Sequence, residues 1–381
     1  MQYYNIFQQM LKGTYILKLG NEGEFGERAA DVLKVCLTRV PFISIASMPW
    51  QTKAGNMRPD RLFRVTNINS KEETVLVIAI KNSGQPRFAR DAFNALSRFQ
   101  IPYKNSYGVF IAPYVADEAA GMCKSEGVGY IDFAGNCRLA FDGVFIEQSG
   151  KQNPFTQKRD LRKLFSVKAE RVLRVLLNNP NKAWRMLEVA SEARVSTGEV
   201  FNVKKALSDR EWITSDATGF RLNKWGILLS TWTDNYSYRQ NEIKEYYSLK
   251  SIPDLEAELA AICTGLSVKY ALTGFSAAAR IAPMVKYSKA TAYIDTQPDI
   301  IAGAMNLKEA PAGANISLCI PYDKEVFYNA RLIDGTNTVS PVQLYLDLKS
   351  NPGRGEEAAE ILLNDVIRTA WSQNGTIPQK L

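Results

Sequence analysis

The chain of 381 residues carries 47 lysines and arginines against 39 acidic residues, a net charge of +8, and it contains no histidine. The absence of histidine excludes Ser-His-Asp and Cys-His catalysis and histidine zinc sites, so any chemistry must use carboxylates, lysine, tyrosine, cysteine or serine. The length is enough for two or three domains. The five cysteines are scattered and form no CxxC pair, which predicts a cytoplasmic protein. No apolar run approaches the ~20 residues that cross a membrane and no signal-peptide pattern is present, so no membrane partner is predicted.

Residues 1–155 are predicted to form a first α/β domain with the element order α-β-β-β-α-β, followed by a helix and further strands. The segment 74–81 is almost wholly apolar, which is typical of a buried central strand. The predicted helices are 26–38, 86–100 and 117–126, and the predicted strands are 42–46, 61–68, 74–81, 107–112 and 129–133, with a terminal hairpin through 147.

This element order, with Pro59-Asp60 and Ala79-Ile80-Lys81, resembles the restriction-endonuclease-like, PD-(D/E)xK fold. In that fold two carboxylates hold Mg²⁺ beside the scissile phosphate and the lysine stabilises charge. Asp60 and Lys81 match the pattern, whereas Ala79 stands in the place of the second acid. Three acidic residues are candidates to replace it: Glu24, Glu27 and Asp132.

The sequence therefore predicts a degenerate domain kept for binding or scaffolding, without a cofactor. Two alternatives stay open. The first is a Mg²⁺-dependent nuclease in which Asp60 and Lys81 are catalytic and DNA is delivered by the domain that follows. The second is a chance match, with Asp60 a loop residue and Lys81 a strand-end charge.

Residues 156–238 are predicted to form a winged helix-turn-helix. Apolar periodicity predicts helices at 169–178, 184–193 and 197–207, and Ser196 and Thr197 supply N-cap chemistry for the third helix. The segments 212–214, 215–219 and 220–222 have the pattern of a strand, a turn and a strand, which a wing requires.

Charge and residue type favour double-stranded DNA as the partner of this domain. Between residues 156 and 250 there are 18 lysines and arginines against 11 acidic residues, so a quarter of the chain carries +7 of the excess. The residues expected near bases at the start of the third helix are Ser196, Thr197, Gly198, Glu199 and Asn202. The residues expected to reach phosphates are Arg185, Arg194, Lys204 and Lys205, with Arg221 and Lys224 from the wing. The alternative is a three-helix unit that mediates protein contacts only.

Residues 239–381 are predicted to form a third, α/β domain. A polar, aromatic stretch at 233–251 is predicted as a helix leading into it, followed by helices at 255–264, 277–281, 342–349 and 354–364 and strands at 270–273, 290–295, 314–320 and 326–332. Gly274 and Ser276 after one strand and Asp295 at the end of the next resemble the nucleotidyltransferase core, in which two acids hold two metals. Tyr293 stands where the other acid belongs, so an interaction domain is predicted, with nucleotidyl transfer through Ser276 and Asp295 as the alternative.

The phrases YALTGFSAAARI at 270–281, SPVQLYLDL at 340–348 and GRGEEAA at 353–359 resemble the AbiEi antitoxin-related transcriptional regulators of type IV, AbiE-type toxin–antitoxin modules. The resemblance is strongest from Arg162 to the C-terminus. It implies a winged helix that represses its own operon and a C-terminal domain that counteracts a nucleotidyltransferase toxin, without catalysis. A homodimer is a further expectation, because winged-helix repressors often bind two half-sites.

Overall fold

A computed structural model of the chain describes residues 22–49, 58–153, 163–281 and 287–372. The chain is a mixed α/β protein, as the sequence predicts, and the strands of its described residues form two seven-stranded sheets and a two-stranded hairpin. It divides into two compact units, Met1–Gln157 and Lys158–Leu381.

The first unit is built on one mixed sheet with helices on both faces. Its helices are α1 Glu22–Leu37, α2 Pro86–Gln100 and α3 Asp117–Ser125. Its strands are β1 Ile43–Ser47, β2 Arg61–Asn67, β3 Glu73–Ile80, β4 Ser106–Ala112, β5 Gly129–Asp132, β6 Cys137–Phe141 and β7 Val144–Gln148. These elements agree with the predicted ones to within a few residues.

The strands of this sheet follow the chain order, β1 to β7, with β3, β4 and β5 parallel and the other neighbours antiparallel. Alternate side chains of β3 enter two different cores. Leu76 and Ile78 pack on the side of α1, while Val77 and Ala79 pack on the side of α2 and α3. Burial of β3 on both faces explains its continuous apolar sequence.

The second unit begins with three helices and a two-stranded antiparallel hairpin. The helices are α4 Val167–Asn178, α5 Met186–Glu192 and α6 Thr197–Asp209, and the hairpin pairs β8 Ile213–Asp216 with β9 Gly219–Leu222. We call this segment, residues 167–222, the trihelical unit. Its helices and strands lie where periodicity and capping predict them.

The remainder of the second unit is a mixed sheet flanked by helices. The helices are α7 Trp225–Thr233, α8 Ile252–Gly265, α9 Gly274–Ile281, α10 Pro298–Ala304, α11 Pro341–Lys349, α12 Arg354–Ile361 and α13 Thr369–Ser372, with a π-helical turn at Leu362–Arg368. The strands are β10 Glu242–Tyr247, β11 Tyr270–Leu272, β12 Ala290–Ile294, β13 Lys308–Glu309, β14 Ile316–Ile320, β15 Arg331–Ile333 and β16 Thr336–Thr338. The sheet order is β13-β10-β14-β12-β11-β16-β15. One hydrophobic core joins this sheet to the trihelical unit.

Two predicted elements of this sheet are wrong. The stretch at 233–251 is not one helix, because β10 pairs antiparallel with β14 and β13 and Tyr246 enters the core. The predicted strand at 326–332 is interrupted, since Lys324–Phe327 forms a 3₁₀ turn and Asn329 takes a positive φ of 56° before β15 begins. A left-handed residue changes the direction of the chain and ends local strand geometry.

Candidate functional site

The turn between α5 and α6 sets the angle at which α6 leaves the trihelical unit. Arg194 takes a positive φ of 52°, and the Val195 N–H donates to the Ala190 carbonyl at 3.0 Å. The Ser196 hydroxyl then accepts from the Glu199 N–H at 3.2 Å, which is the N-cap predicted from the sequence. Helix α6 therefore starts at a fixed place after a four-residue connection.

Helix α6 has an inner and an outer face. Val200, Val203 and Leu207 are buried at the i, i+3, i+7 spacing of one helix face. The exposed residues of its start and outer face are Ser196, Thr197, Gly198, Phe201, Asn202 and Lys205, and Glu199 is half-buried. The predicted base-contacting residues therefore lie together along one accessible stripe.

Lys204 and Lys205, predicted as a pair of phosphate contacts, lie in different surroundings. Lys205 is exposed on the outer face of α6. Lys204 is half-buried, and its Nζ lies 5.1 Å from the centroid of the Phe220 ring in the hairpin. A cation over an aromatic face stabilises the packing of α6 on the hairpin.

The hairpin is fastened to the segment that precedes α5. The Trp184 N–H donates to the Phe220 carbonyl at 2.8 Å, and the Phe220 N–H donates back to the Trp184 carbonyl at 3.0 Å. Gly219 has a φ of +147°, and a Cβ at this position would lie 2.4 Å from the Trp184 carbonyl oxygen. Only glycine fits such an approach of two backbones, so the position of the hairpin depends on it.

The remaining predicted phosphate contacts divide by their partners. Arg194 pairs with Glu325 at 3.2 Å although its side chain is 69% exposed, and Arg221 pairs with Asp216 at 3.3 Å. Arg194, Arg221 and Lys204 therefore each interact with a neighbouring side chain, namely Glu325, Asp216 and Phe220. Three exposed cations form no ion pair with any residue that the structure describes: Arg185, Lys205 and Lys224.

Helix α4 carries a buried ion pair that the sequence interpretation missed. Glu170 and Arg174 lie one turn apart, both almost fully buried, with Arg174 Nη1 3.6 Å from Glu170 Oε2. Glu170 accepts from the Trp232 indole N–H at 3.1 Å and from the Tyr322 hydroxyl. Arg174 donates through Nε to Gln343 at 3.0 Å and lies over the Trp232 ring. The signal was two charges at i, i+4 inside an apolar stripe.

Further polar contacts join the trihelical unit to the second sheet. Arg171 donates to the buried Asp323 carboxylate at 2.8 Å, and the Asn329 amide donates to Asn178 at 3.0 Å. Buried charges of this kind are tolerated only when they are paired. The trihelical unit is thus held in one orientation against the sheet by specific pairs as well as by the shared core.

In the first unit the structure places Asp60 of the PD…xK match against the residue that precedes Lys81. The Asp60 carboxylate accepts from the Ile80 N–H at 2.6 Å, next to Lys81 at the end of β3. Ala79, which replaces the second acid, is buried in the apolar core on the α2 side. One carboxylate and one lysine therefore share this corner of the sheet.

Two of the three acids considered as replacements for the second carboxylate, Asp132 and Glu27, have other partners. Asp132 is fully buried, and its carboxylate accepts from the N–H groups of Val115 and Asn136 and from the Asn136 amide. Burial raises the pKa of Asp132, against the opposing effect of these hydrogen bonds. Glu27 lies 3.6 Å from Arg61, and the side chain of Glu24 lies outside the described residues. Asp132 as a metal ligand is therefore wrong, because its lone pairs hold the 132–136 turn.

The nucleotidyltransferase-like pairing of Ser276 with Asp295 is also wrong. Strands β11 and β12 are antiparallel, so Ser276 lies beside the start of β12, where its hydroxyl accepts from the Thr291 N–H at 2.9 Å. Asp295 lies past the opposite end of β12 and accepts from the Lys269 N–H at 2.8 Å. Within the described residues, no group of three or more Cys, Asp or Glu side chains is arranged to hold a metal ion.

Comparison with known proteins finds a family match over the part of the chain that contains the second sheet. Residues 221–368 match the family described as "Transcriptional regulator, AbiEi antitoxin, Type IV TA system". This match confirms the AbiEi-like resemblance over that segment, which begins in β9, ends with the π-helical turn and excludes α4, α5 and α6.

The other comparisons add little. A search of curated proteins finds no match. The solved structure titled "Structure of EndoMS in apo form" is similar at 14% sequence identity and a TM-score of 0.18, covering 27% of this chain and 45% of that chain. The chain thus spans less than half of that protein, and a likeness at this score supports no argument. In the described part of the chain, no helix has the length and apolar character needed to cross a membrane.

Proposed function

We propose that this protein is a DNA-binding transcriptional regulator with an antitoxin-like role in a type IV toxin–antitoxin or phage-defence module. In this proposal the trihelical unit is a winged helix-turn-helix, α6 is its recognition helix, and the protein represses its own operon without catalysing a reaction. Cytoplasmic location, a homodimer on two half-sites and a nucleotidyltransferase-type toxin as partner belong to the same proposal.

The exposed stripe of α6 is the observation that carries the proposal. Small and polar side chains at Ser196, Thr197 and Asn202 permit close approach to base edges in the major groove. Lys205 lies on the same outer face, where it can pair with a phosphate. The hairpin beside α6 supports the role of a wing, and the family matched at 221–368 is one of transcriptional regulators.

The decisive experiment is a gel shift of the full chain with the DNA upstream of its own gene, compared with random duplex of equal length, with and without Mg²⁺. We expect sequence-selective retardation with intact strands. Equal affinity for both duplexes, or none for either, would contradict the regulator. The matched variants are Asn202→Ala on the exposed stripe and Lys308→Ala on β13, of which only the first should reduce selectivity.

A Mg²⁺-dependent nuclease is the second candidate, supported by the contact between Asp60 and the Ile80 N–H beside Lys81. Hydrolysis through Mg²⁺ usually needs more than one carboxylate ligand, and Ala79 supplies none. Denaturing gels of the same DNA test this candidate. Mg²⁺-dependent cleavage that disappears in Asp60→Ala would establish it, and cleavage that persists in Asp60→Ala would place the activity elsewhere.

A further inference from the structure

A cavity of about 570 Å³ opens in the second unit, and its described lining includes no residue of α6. Its walls are the start of α9, the start of β12, the turn between α11 and α12, and the 3₁₀ segment Tyr238–Gln240 that precedes β10. The volume falls within the range of about 300–1,000 Å³ that is usual for sites binding small organic molecules.

The inner part of the cavity is aromatic and contains one carboxylate. Tyr236 and Asp347 are buried there, and Tyr238 is half-buried beside them. Asp347 accepts hydrogen bonds from Tyr236 at 2.7 Å and Thr273 at 2.5 Å, and also from the Tyr293 hydroxyl and the Gln343 amide. These four hydrogen bonds fill the Asp347 carboxylate, so the interior offers a planar heterocycle the faces of its tyrosine rings.

The mouth of the cavity is basic. Arg239 and Arg354 are exposed there, and the Arg354 guanidinium lies 5.5 Å from the Phe275 ring centroid. Lys289 and Glu245 also line the cavity, and they offset each other as an ion pair at 2.5 Å. Two arginines at the rim can bind a phosphate through several N–H groups at once.

The start of α9 adds to the same field. Gly274 and Phe275, its first two residues, line the cavity. The N–H groups of the first turn of a helix have no intrahelical partner and favour an anion. The cavity therefore combines an aromatic interior with an anion-binding rim, which is the division of a nucleotide into base and phosphate.

The cavity is connected to the trihelical unit by hydrogen bonds. The Gln343 amide donates to both Asp347 and Tyr236, and its oxygen accepts from Arg174 Nε at 3.0 Å. Arg174 belongs to α4, the first helix of the trihelical unit. Two residues, Tyr236 or Asp347 and then Gln343, thus lie between a ligand in the cavity and Arg174 of α4.

We propose that this cavity binds a nucleoside phosphate, with the base against Tyr236 and Tyr238 and the phosphate between Arg239 and Arg354, and that its occupancy changes the affinity of α6 for DNA. The second clause rests on the proposed function, whereas the first stands without it. Linkage requires the effect to be reciprocal, so DNA changes the affinity for the nucleotide by the same factor.

Binding is tested by isothermal titration of the full chain with ATP, GTP, CTP and UTP. Inorganic phosphate, the free nucleosides and a 5′-phosphorylated tetranucleotide are separate arms, which distinguish a free nucleotide from a nucleic-acid end. We expect one-to-one binding of at least one nucleoside triphosphate, weakened about tenfold or more in Arg239→Gln and in Arg354→Gln. Lys308→Gln, an exposed cation on β13 outside the cavity, should leave affinity unchanged.

No binding of any nucleotide up to about 1 mM overturns the site, and so does binding that is equally tight in both arginine variants. Coupling is then measured as the affinity for upstream duplex with and without saturating nucleotide. Nucleotide binding with unchanged DNA affinity overturns the regulatory clause. Nucleotide binding in a protein that binds no DNA overturns the proposed function and leaves the nucleotide site standing.

Discussion

Lys204 and Lys205 are adjacent in the sequence and identical in charge, so they form a matched pair for testing which side of α6 meets DNA. Lys205 lies on the exposed face, whereas Lys204 lies over Phe220 at the hairpin. The perturbation is alanine at each position separately. Each variant removes one positive charge, so a difference between their affinities for DNA shows which of the two lysines lies near a phosphate.

The expected magnitude follows from counterion release. One lysine–phosphate contact contributes about 0.9 to the slope of log K against log salt. If that contribution vanishes near 1 M salt, Lys205→Ala should weaken binding about eightfold at 0.1 M NaCl, or about 1.2 kcal/mol, for specific and random duplex alike. Lys204→Ala should leave the slope unchanged and cost about 0.5–1 kcal/mol of folding stability through the lost contact with Phe220.

The total slope gives a second check. Three of the six predicted phosphate contacts are engaged by neighbours, namely Arg194, Lys204 and Arg221. The other three predict a slope of about −2.7 for each bound chain, against about −5.4 if all six reached phosphates.

Fluorescence anisotropy with labelled upstream duplex, across a series of NaCl concentrations, measures both slopes. Urea unfolding of each variant controls for loss of fold. A flatter slope in Lys204→Ala but not in Lys205→Ala would show that the DNA-binding face of α6 has been assigned wrongly. Equal slopes in both variants and the wild type would favour a trihelical unit that contacts protein only.

Three further predictions concern the stability of the second unit. Gly219→Ala should lower the free energy of unfolding by about 1–3 kcal/mol, because Gly219 has a φ of +147° and a Cβ there would meet the Trp184 carbonyl oxygen. Gly226→Ala in α7 is the control, since its Cβ would meet no atom within 4 Å and the change should be neutral or stabilising. Thermal unfolding compares the two variants. Arg174→Ala should cost about 3–5 kcal/mol in urea unfolding, because it leaves the buried Glu170 carboxylate without its ion-pair partner. Arg194→Ala should cost less than about 1 kcal/mol, because the Arg194 side chain is 69% exposed. Similar costs for the two variants would contradict the buried pair. Burial raises the pKa of Asp347 to about 6, so the folded state binds the proton more tightly than the unfolded state. The free energy of unfolding should therefore fall by up to about 3 kcal/mol as the pH rises from about 4 to about 6. Asp347→Asn should lose this pH dependence.

Local patterns in the sequence were sufficient for most helices and strands. The N-cap at Ser196 and the apolar periodicity of α4 and α6 depend only on residues within a few positions, so they could be read directly. The same helical period would also have separated Lys204 from Lys205, since neighbouring side chains on a helix point about 100° apart.

Properties that depend on distant partners were not predictable in this way. The local pattern at β10 predicts a helix because the partners that make it a strand, β13 and β14, lie more than sixty residues further along the chain. The sequence around Ser276 and Asp295 does not contain the direction of the strands, and the antiparallel pairing of β11 with β12 separates the two residues. The cavity could not be foreseen either, because its walls come from segments far apart in the sequence that only the folded sheet brings together.

The core shared by the trihelical unit and the second sheet also fixes a geometry outside the protein. Trp232 is fully buried at this junction, with Glu170 on its indole N–H and Arg174 over its ring. A DNA-binding domain on a flexible linker allows the attached domain to take many positions around the duplex. Here the sheet is fixed to the recognition helix, so any molecule held by the sheet would occupy one rotational phase of the double helix. Moving an operator by half a helical turn would carry that molecule to the opposite side of the DNA.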